Sequence, residues 1–225
     1  YTSLMKKLVA AFRRDMRCPS LPFAIVQISR VVGLTGFAGW NAVQEAQRLL
    51  PDAVDWLTTV PAIDLTLDDG IHIGGAAQQR LGRRLAGAML ALLGHPRAGA
   101  GPIFLKSVVV QKDALRDVAN VIVEFGDVAK ELRSGERAFG FTVKDAAGSN
   151  FVFDIRVEKN RAILRTDRSP EQIVGMKLAY GADCDPVCTI VDGADRSLPV
   201  FGPVVLGKAG RVRNFAAPGA GRRKR

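Results

Sequence analysis

PFAIVQIS, at residues 22–29, is a nearly continuous apolar run bounded by Pro and a polar stretch. A strand of this composition is typical of a parallel sheet buried on both faces, because strands with one solvated face alternate apolar and polar residues. The run lies between two helical patterns, and such alternation indicates an α/β architecture. We therefore predict that residues 22–29 form a buried strand of an α/β domain.

Helical and strand patterns alternate around this run. Apolar residues recur at helical spacing in three segments, at 3–17, 40–50 and 75–93. Pro51-Asp52 is expected to stop the second helix. Residues 53–65 contain one or two short strands and end in AIDLT. Because residues 1–95 hold so few strands, we expect them to be the C-terminal part of a doubly wound parallel sheet, which usually has about five.

The pattern changes after Gly94-His95-Pro96 and RAGAGP, which we interpret as a linker. The period then becomes mostly two, which indicates strands separated by short turns. The candidate strands are 104–111, 119–125, 138–144, 151–157, 161–166 and 173–179. We predict a β-sandwich-like domain at 102–205 and a basic flexible tail at 206–225.

The positive charge of the chain is concentrated in that tail. The 32 Lys and Arg against 22 Asp and Glu give a net charge of +10. Seven basic residues and no acid follow Leu206, and without them the balance is 25 against 22. Nucleic acid is therefore an unlikely partner, because its electrostatic footprint would be a basic domain face. No run of about 18 apolar residues predicts a membrane span.

Cys184 and Cys188, with Asp183 and Asp185 beside them, invite a metal-site interpretation. No third soft ligand or His is near in sequence, so a disulfide or a plain loop is favoured. Walker A, G-x-G-x-x-G and H-E-x-x-H motifs are absent from the sequence. We predict no metal and no cofactor.

The sequence contains two histidines, and each can be weighed as a catalytic residue. His95 lies in the linker and is interpreted as a surface residue. His72 follows a buried strand and precedes a long helix, at the end of the sheet where catalytic groups of α/β proteins gather. Asp69 is three residues away and could orient the imidazole. A helix-capping Asp beside an incidental His is the alternative.

Several of these segments together resemble the sialate O-acetylesterase-like carbohydrate esterases of the SGNH hydrolase superfamily. The matching residues are Val26-Gln27-Ile28, Ala46-Gln47, Ile63-Asp64-Leu65, Ile71-His72, Gln78-Gln79 and Gly82-Arg83-Arg84-Leu85-Ala86. A looser match follows in the β-rich half, at Val174–Tyr180 and Leu198–Phe201. The block at 61–86 is the most specific part.

The resemblance implies roles for individual residues. His72 would be the general base of an acetyl-ester hydrolase and Asp69 its orienting carboxylate, with Asp68 as the fallback. Trp40 and Gln27 are the candidates for contact with an acetylated carbohydrate, with core packing as the alternative for Trp40. Ile73 stands where the family has Pro, which puts the position of the histidine loop in doubt.

The family's nucleophile motif, G-Q-S-N-like, is missing from the expected place. Ala147-Gly148-Ser149-Asn150 is similar in letters, but it separates two strand patterns and is interpreted as a hairpin turn. The chain starts abruptly at Tyr1. We therefore expect an N-terminal polypeptide, cleaved from the same precursor or encoded separately, to supply the nucleophilic Ser.

Three functions remain open from the sequence, and the weakest of them is polyanion binding through the basic tail. The first is the C-terminal part of a carbohydrate O-acetylesterase. The second is a non-catalytic glycan-binding module or a component of a larger assembly, such as a virion. The resemblance favours an extracellular, periplasmic or virion-associated location over a cytoplasmic one.

Overall fold

The computed structural model describes residues 1–33, 38–95 and 101–216. They form two compact units. The first contains the described residues up to 102 together with Asp183–Asp185, and the second contains the remainder. No helix in the described ranges is long and apolar enough to cross a membrane.

The first unit has mixed α/β structure. In chain order its elements are α1 (Thr2–Asp15), β1 (Phe23–Gln27), α2 (Ala38–Ala53), β2 (Leu57–Pro61) and α3 (Gly75–Leu92). β1 and β2 pair in parallel, with Phe23 opposite Leu57 and Gln27 opposite Pro61. The coarse α/β prediction is confirmed. Residues 53–65 contain one strand.

Apolar clusters cover both faces of this two-stranded sheet. On one face, Val9 of α1 and Leu50 of α2 pack with Leu57, and Phe23 and Ile25 of β1 lie against them. On the other face, residues of α3 pack against Val60 of β2 and Val26 of β1. Helices on both faces are what a parallel sheet requires. Both faces of the first strand are thus covered, as predicted, although residues 23–26 are only half-buried.

Pro51 lies inside α2, so the expected stop at this residue is wrong. Proline has no N–H and cannot bond to the carbonyl oxygen four residues earlier. That oxygen, on Gln47, accepts a hydrogen bond from the Thr59 hydroxyl at 2.9 Å. The helix then continues, and Val54 N–H donates to Leu50 O at 3.0 Å. A side chain from β2 thus compensates for the proline.

The second unit is built from antiparallel strand pairs. They are β3 (Phe104–Lys112), β4 (Ala119–Gly126), β5 (Leu132–Arg133), β6 (Phe141–Lys144), β7 (Val152–Glu158), β8 (Arg161–Thr166), β9 (Lys177–Tyr180), β10 (Val191–Asp192), β11 (Phe201–Val205) and β12 (Arg213–Asn214). The largest sheet has the order β12-β3-β4-β8-β7, and a second has the order β11-β9-β6. β10 and β5 form a short pair. Phe125, Phe141, Tyr180 and Phe201 form a buried aromatic core.

Two sequence predictions for this unit need correction. The candidate strand 173–179 begins only at Lys177, because the preceding residues form a turn in which Gly175 adopts a φ of +85°. The predicted flexible tail is wrong over 206–216. Leu206 is buried, and Arg213–Asn214 pair with β3. The rest of that tail, 217–225, lies outside the described residues, as do 96–100 of the linker.

Candidate active site

The loop between β2 and α3 carries the candidate catalytic residues and is anchored at its start. The Asp64 carboxylate accepts two hydrogen bonds from Arg84, from Nη1 and Nη2, both at 2.7 Å. Each side chain is only 4% exposed, and Arg80 lies 3.2 Å from the same carboxylate. A bidentate pair of this kind fixes both position and orientation. The Ile-Asp-Leu segment recognised in the sequence thus ties the loop to α3.

The rest of the loop is closed by its own backbone. Asp68 N–H donates to His72 O at 2.9 Å, and Gly74 N–H donates to Thr66 O at 3.0 Å. The Asp68 carboxylate accepts from Gly75 N–H at 3.2 Å, at the start of α3. A Cβ on Gly74 would collide with that carboxylate, so any other residue there would displace the Asp68 side chain. The Asp68 carboxylate, considered as a fallback orienting group, therefore contacts the start of α3.

Ile73 occupies the position where the resembled family has proline. Its side chain is half-buried and packs into the cluster that contains Leu65 and Leu81. Ile73 also forms an isolated bridge with Leu67 across the loop. Packing and pairing therefore hold the residue beside the histidine in place without a proline ring.

Asp69 and His72 are brought together at the tip of this loop. His72 Nδ1 lies 2.7 Å from Asp69 Oδ2. The other carboxylate oxygen, Oδ1, accepts from the backbone N–H of His72 at 2.7 Å and of Ile71 at 2.8 Å. The hydrogen bond from the His72 backbone, followed by the imidazole contact, holds the pKa of Asp69 well below its ordinary value.

This geometry defines what the pair can do chemically. An ionised Asp69 accepts a hydrogen bond from Nδ1–H of the neutral imidazole, which leaves Nε2 as the nitrogen able to take a proton from another group. The His72 side chain is 78% exposed and that of Asp69 is 55% exposed. The dyad is therefore formed locally and presented at the surface of the first unit.

Polar side chains hold the carboxyl end of β1. Gln44 Nε2 donates to the carbonyls of Ile28 and Ser29, at 3.0 and 3.2 Å. Gln47 Oε1 accepts from Ile28 N–H at 2.9 Å. Gln27 is fully buried, and its Nε2 donates to Gln44 O at 2.9 Å. Its position supports a structural role for Gln27 and does not support the predicted contact with substrate.

Trp40, at the beginning of α2, lies beside the same segment. Its indole Nε1 donates to Ser29 O at 2.8 Å, and the side chain is half-buried. The hydrogen bond fixes the ring beside the end of β1. Contact of its remaining exposed surface with a sugar stays a prediction.

Sequence reasoning missed a set of contacts that connect the segment after β1 to the histidine loop and to residues 183–185. Val32 N–H donates to Gly70 O, and Val31 N–H donates to Cys184 O, both at 2.7 Å. Asn41 exchanges two hydrogen bonds with the backbone of Asp183, at 3.0 and 3.1 Å. Arg30 forms an ion pair with Asp185. No local pattern signals the contacts with residues 183–185, since those partners are about 140–155 residues apart.

The remaining sequence candidates lie elsewhere. Ser149 lies between β6 and β7, where its N–H donates to Asp145 Oδ1 at 2.9 Å, in a turn as expected. Lys144 and Asn150 on either side of the turn form an antiparallel bridge, although β6 and β7 belong to different sheets. Cys184 and Cys188 do not form a disulfide. His95 is exposed just after α3. Within the three described ranges, no group of three His, Cys, Asp or Glu could hold a metal ion.

The histidine loop lies in the part of the chain that matches a known protein family. Residues 1–91 match a family model described as carbohydrate esterase, sialic acid-specific acetylesterase. The predicted resemblance to this esterase family is confirmed. The match includes β1, β2 and most of α3, and with them Asp69 and His72. A search of curated proteins gives no significant match.

A solved structure supports the fold over a longer stretch. The crystal structure of a carbohydrate acetylesterase from Xanthomonas citri superimposes with a TM-score of 0.66 at 18% identity. The alignment covers 85% of this chain and 43% of that one. The chain thus spans less than half the length of its structural neighbour, and the likeness shows the fold alone.

Proposed function

We propose that this chain is the C-terminal part of a serine-dependent carbohydrate O-acetylesterase, with His72 as general base and Asp69 as the residue that orients it. The observation that carries the proposal is the 2.7 Å contact between His72 Nδ1 and Asp69 Oδ2. It lies within the segment that matches the esterase family. In this proposal β1 and β2 are the last strands of an SGNH-type doubly wound sheet, followed by a β-sandwich-like domain.

The proposed reaction is acyl transfer in two halves. A serine hydroxyl attacks the acetyl carbonyl carbon while His72 Nε2 takes its proton, and the protonated imidazole then gives that proton to the departing sugar oxygen. Water then attacks the acetyl carbon while Nε2 takes its proton, and the imidazolium gives a proton to the serine oxygen as its bond to the acetyl carbon breaks, which releases acetate. Asp69 remains ionised and stabilises the imidazolium, in keeping with its lowered pKa.

The serine and oxyanion donors are proposed to come from a polypeptide segment outside these 225 residues. Two observations support this. Ser29 is buried and its hydroxyl donates to Ala62 O at 2.9 Å, while Ser149 lies in a turn of the second unit. No hydrogen bond joins His72 to a serine hydroxyl within the described part of the chain.

The test is His72→Ala in the complete assembly, with acetate release from an O-acetylated sugar and from p-nitrophenyl acetate as the readouts. Removal of the base should lower kcat by about 10³-fold or more. His95→Ala is the matched control, since it removes the other histidine, which is also exposed. Retained turnover in His72→Ala would reject the assignment of the base.

The exposure of the dyad also favours a second candidate, a non-catalytic glycan-binding or structural component that kept the fold. The His72 side chain is 78% exposed, and no serine hydroxyl among the described residues is hydrogen-bonded to it. In that case glycan binding or assembly would survive His72→Ala, and no acetate would be released even with every partner present.

A further inference from the structure

In the described residues, one backbone hydrogen bond joins the tip of the histidine loop, residues 69–72, to another segment. Val32 N–H donates to Gly70 O at 2.7 Å. The other described hydrogen bonds of the tip stay inside the loop. Because the side chains of Asp69 and His72 are 55% and 78% exposed, packing does little to fix them. The position of the dyad therefore depends on this bond and on the anchored base of the loop.

The segment after β1 is held in turn by residues 183–185, which we name the strap. Val31 N–H donates to Cys184 O at 2.7 Å, and Val31 is only 3% exposed. Arg30 forms an ion pair with Asp185. The strap belongs to the same compact unit as the histidine loop. Consecutive residues of the segment thus bond to the strap and to the loop tip.

Asn41 of α2 fixes the strap to the first unit. Asp183 N–H donates to Asn41 Oδ1 at 3.0 Å, and Asn41 Nδ2 donates to Asp183 O at 3.1 Å. A primary amide carries both a donor and an acceptor, so it can bond to both backbone groups of one residue. Asp183 adopts a φ of +74°, a left-handed conformation that residues other than glycine seldom adopt. Such a conformation persists where its surroundings hold it, and the two bonds from Asn41 do so.

The same amide reaches the end of β1. Asn41 Nδ2 also donates to Gln44 Oε1 at 2.8 Å, and Gln44 Nε2 donates to Ser29 O at 3.2 Å. Ser29 directly precedes the segment that bonds to the strap and to the loop tip. The strap, the start of α2 and this segment therefore form one hydrogen-bonded network.

We propose that the strap and Asn41 position the general base of the esterase. They hold residues 30–32 at the end of β1, and the bond from Val32 to Gly70 then sets where the dyad stands. This inference rests on the proposed function. In the described part of the chain, neither the strap nor Asn41 is hydrogen-bonded to the side chains of the dyad, so they act as positioning residues.

The expected effect follows from the geometry that proton transfer requires. A general base works at hydrogen-bond distances of about 2.6–3.2 Å from the group it deprotonates. A displacement of about 1 Å can lower the rate by about 100-fold. Because the strap holds the loop tip through backbone bonds, its loss should lower kcat and change KM little.

The test compares Asn41→Ala with Asn150→Ala in the complete assembly. Asn41→Ala removes both hydrogen bonds to Asp183, and alanine favours the helix in which it would lie. Asn150 is the matched control, because its side-chain oxygen also accepts from two backbone N–H groups, those of Val143 and Val152, but in the second unit. The readouts are kcat and KM for acetate release from an O-acetylated sugar, and amide hydrogen exchange followed by mass spectrometry.

Asn41→Ala should lower kcat by about 10–100-fold and change KM by less than about threefold. Hydrogen exchange should rise by about tenfold or more in the peptide that contains Val31 and Val32. Asn150→Ala should leave both readouts unchanged. The proposal is overturned by a kcat within about twofold of the parent for Asn41→Ala, by unchanged exchange at Val31 and Val32, or by an equal loss of kcat in the two variants.

The ion pair tests the other end of the strap. The side chains of Arg30 and Asp185 are 29% and 40% exposed, so neutral substitutions there leave no buried charge. Arg30→Gln and Asp185→Asn should each lower kcat by about 3–5-fold, the scale of one partly exposed ion pair. The double variant should lose no more than either single variant, because the two side chains act as one unit. Additive losses would overturn the role of this pair in the strap.

Failure of this inference can be told apart from failure of the proposed function. If His72→Ala abolishes activity but Asn41→Ala retains the parent kcat, the strap does not position the base and the proposed function stands. If His72→Ala retains activity, the proposed function falls and the positioning role falls with it, even where Asn41→Ala raises exchange at Val31 and Val32.

Discussion

The buried pair of Asp64 and Arg84 allows a quantitative prediction for the loop that carries His72. Arg84→Met keeps the length of the side chain but leaves the Asp64 carboxylate, which is 4% exposed, without its bidentate partner. Removing one member of a buried ion pair typically costs about 3–5 kcal/mol, because the remaining charge is desolvated and uncompensated. Arg80, at 3.2 Å and 32% exposed, can recover part of this. We therefore expect a loss of about 2–4 kcal/mol for Arg84→Met.

The matched variants are Asp64→Asn and the double variant Asp64→Leu with Arg84→Met. Asp64→Asn should cost about 3–5 kcal/mol, because two arginines then lose their shared partner. The double variant replaces the pair by apolar side chains and should lie within about 1–2 kcal/mol of the parent. Asp64→Leu as a single variant closes the cycle with Arg84→Met, and the non-additivity then measures the coupling between the two residues.

Tryptophan fluorescence during urea unfolding is the assay. Both tryptophans of the chain, Trp40 and Trp56, lie in the first unit, so their emission follows that unit. This avoids the assumption that the two units unfold together. A loss below about 1 kcal/mol for Arg84→Met would refute the assignment of Asp64 and Arg84 as the anchor of the loop.

Three further outcomes are expected. Thr59→Val removes the hydroxyl that bonds to Gln47 O at 2.9 Å and should destabilise the first unit by about 1–2 kcal/mol. Thr58→Val should be neutral or stabilising in the same urea titration, because the buried Thr58 hydroxyl has no hydrogen-bond partner among the described residues. Asp69 should stay ionised to well below pH 3.9, the usual pKa of an Asp side chain. Its contribution to stability is therefore present above pH 3.9 and is lost as the pH falls through the lowered pKa of the folded protein. A midpoint at or above pH 3.9 for the Asp69 carboxyl ¹³C NMR signal would contradict the contacts with His72 and Ile71. Phe201→Ala, in the aromatic core, should lower the free energy of unfolding of the second unit by about 3–5 kcal/mol, measured by circular dichroism. The unfolding transition followed by tryptophan fluorescence, which reports on the first unit, should not change. A shift of the tryptophan transition by the same amount would contradict independent unfolding of the two units.

Local patterns were sufficient for most elements of the first unit. Apolar spacing gave α3 as 75–93 against the observed Gly75–Leu92, and PFAIVQIS gave β1. The exception was Pro51, where propensity predicted a stop. Propensity cannot include Thr59, which lies on another element and supplies a donor to the carbonyl that proline leaves free. Tertiary context decided that boundary.

The candidate active site also divides into residues that local sequence patterns could predict and residues that depend on tertiary contacts. Asp69 and His72 are three residues apart, so the sequence could pair them before their 2.7 Å contact was known. The role of Gln27 could not be predicted, because a glutamine that contacts a sugar and one that bonds to a helix backbone are identical in sequence. The link from Cys184 to Val31 joins residues far apart in the chain, and nothing in the neighbouring residues of either one signals it.

That link affects where the chain can be divided. A gene fragment that ended at residue 102 would retain every helix of the first unit but would lose Asp183–Asp185. The N–H of Val31, a residue only 3% exposed, would then lose its acceptor, and Asn41 would lose both of its bonds to Asp183. Anyone who shortens this protein for crystallisation or NMR should therefore keep residues 183–185, or expect local rearrangement next to Gly70.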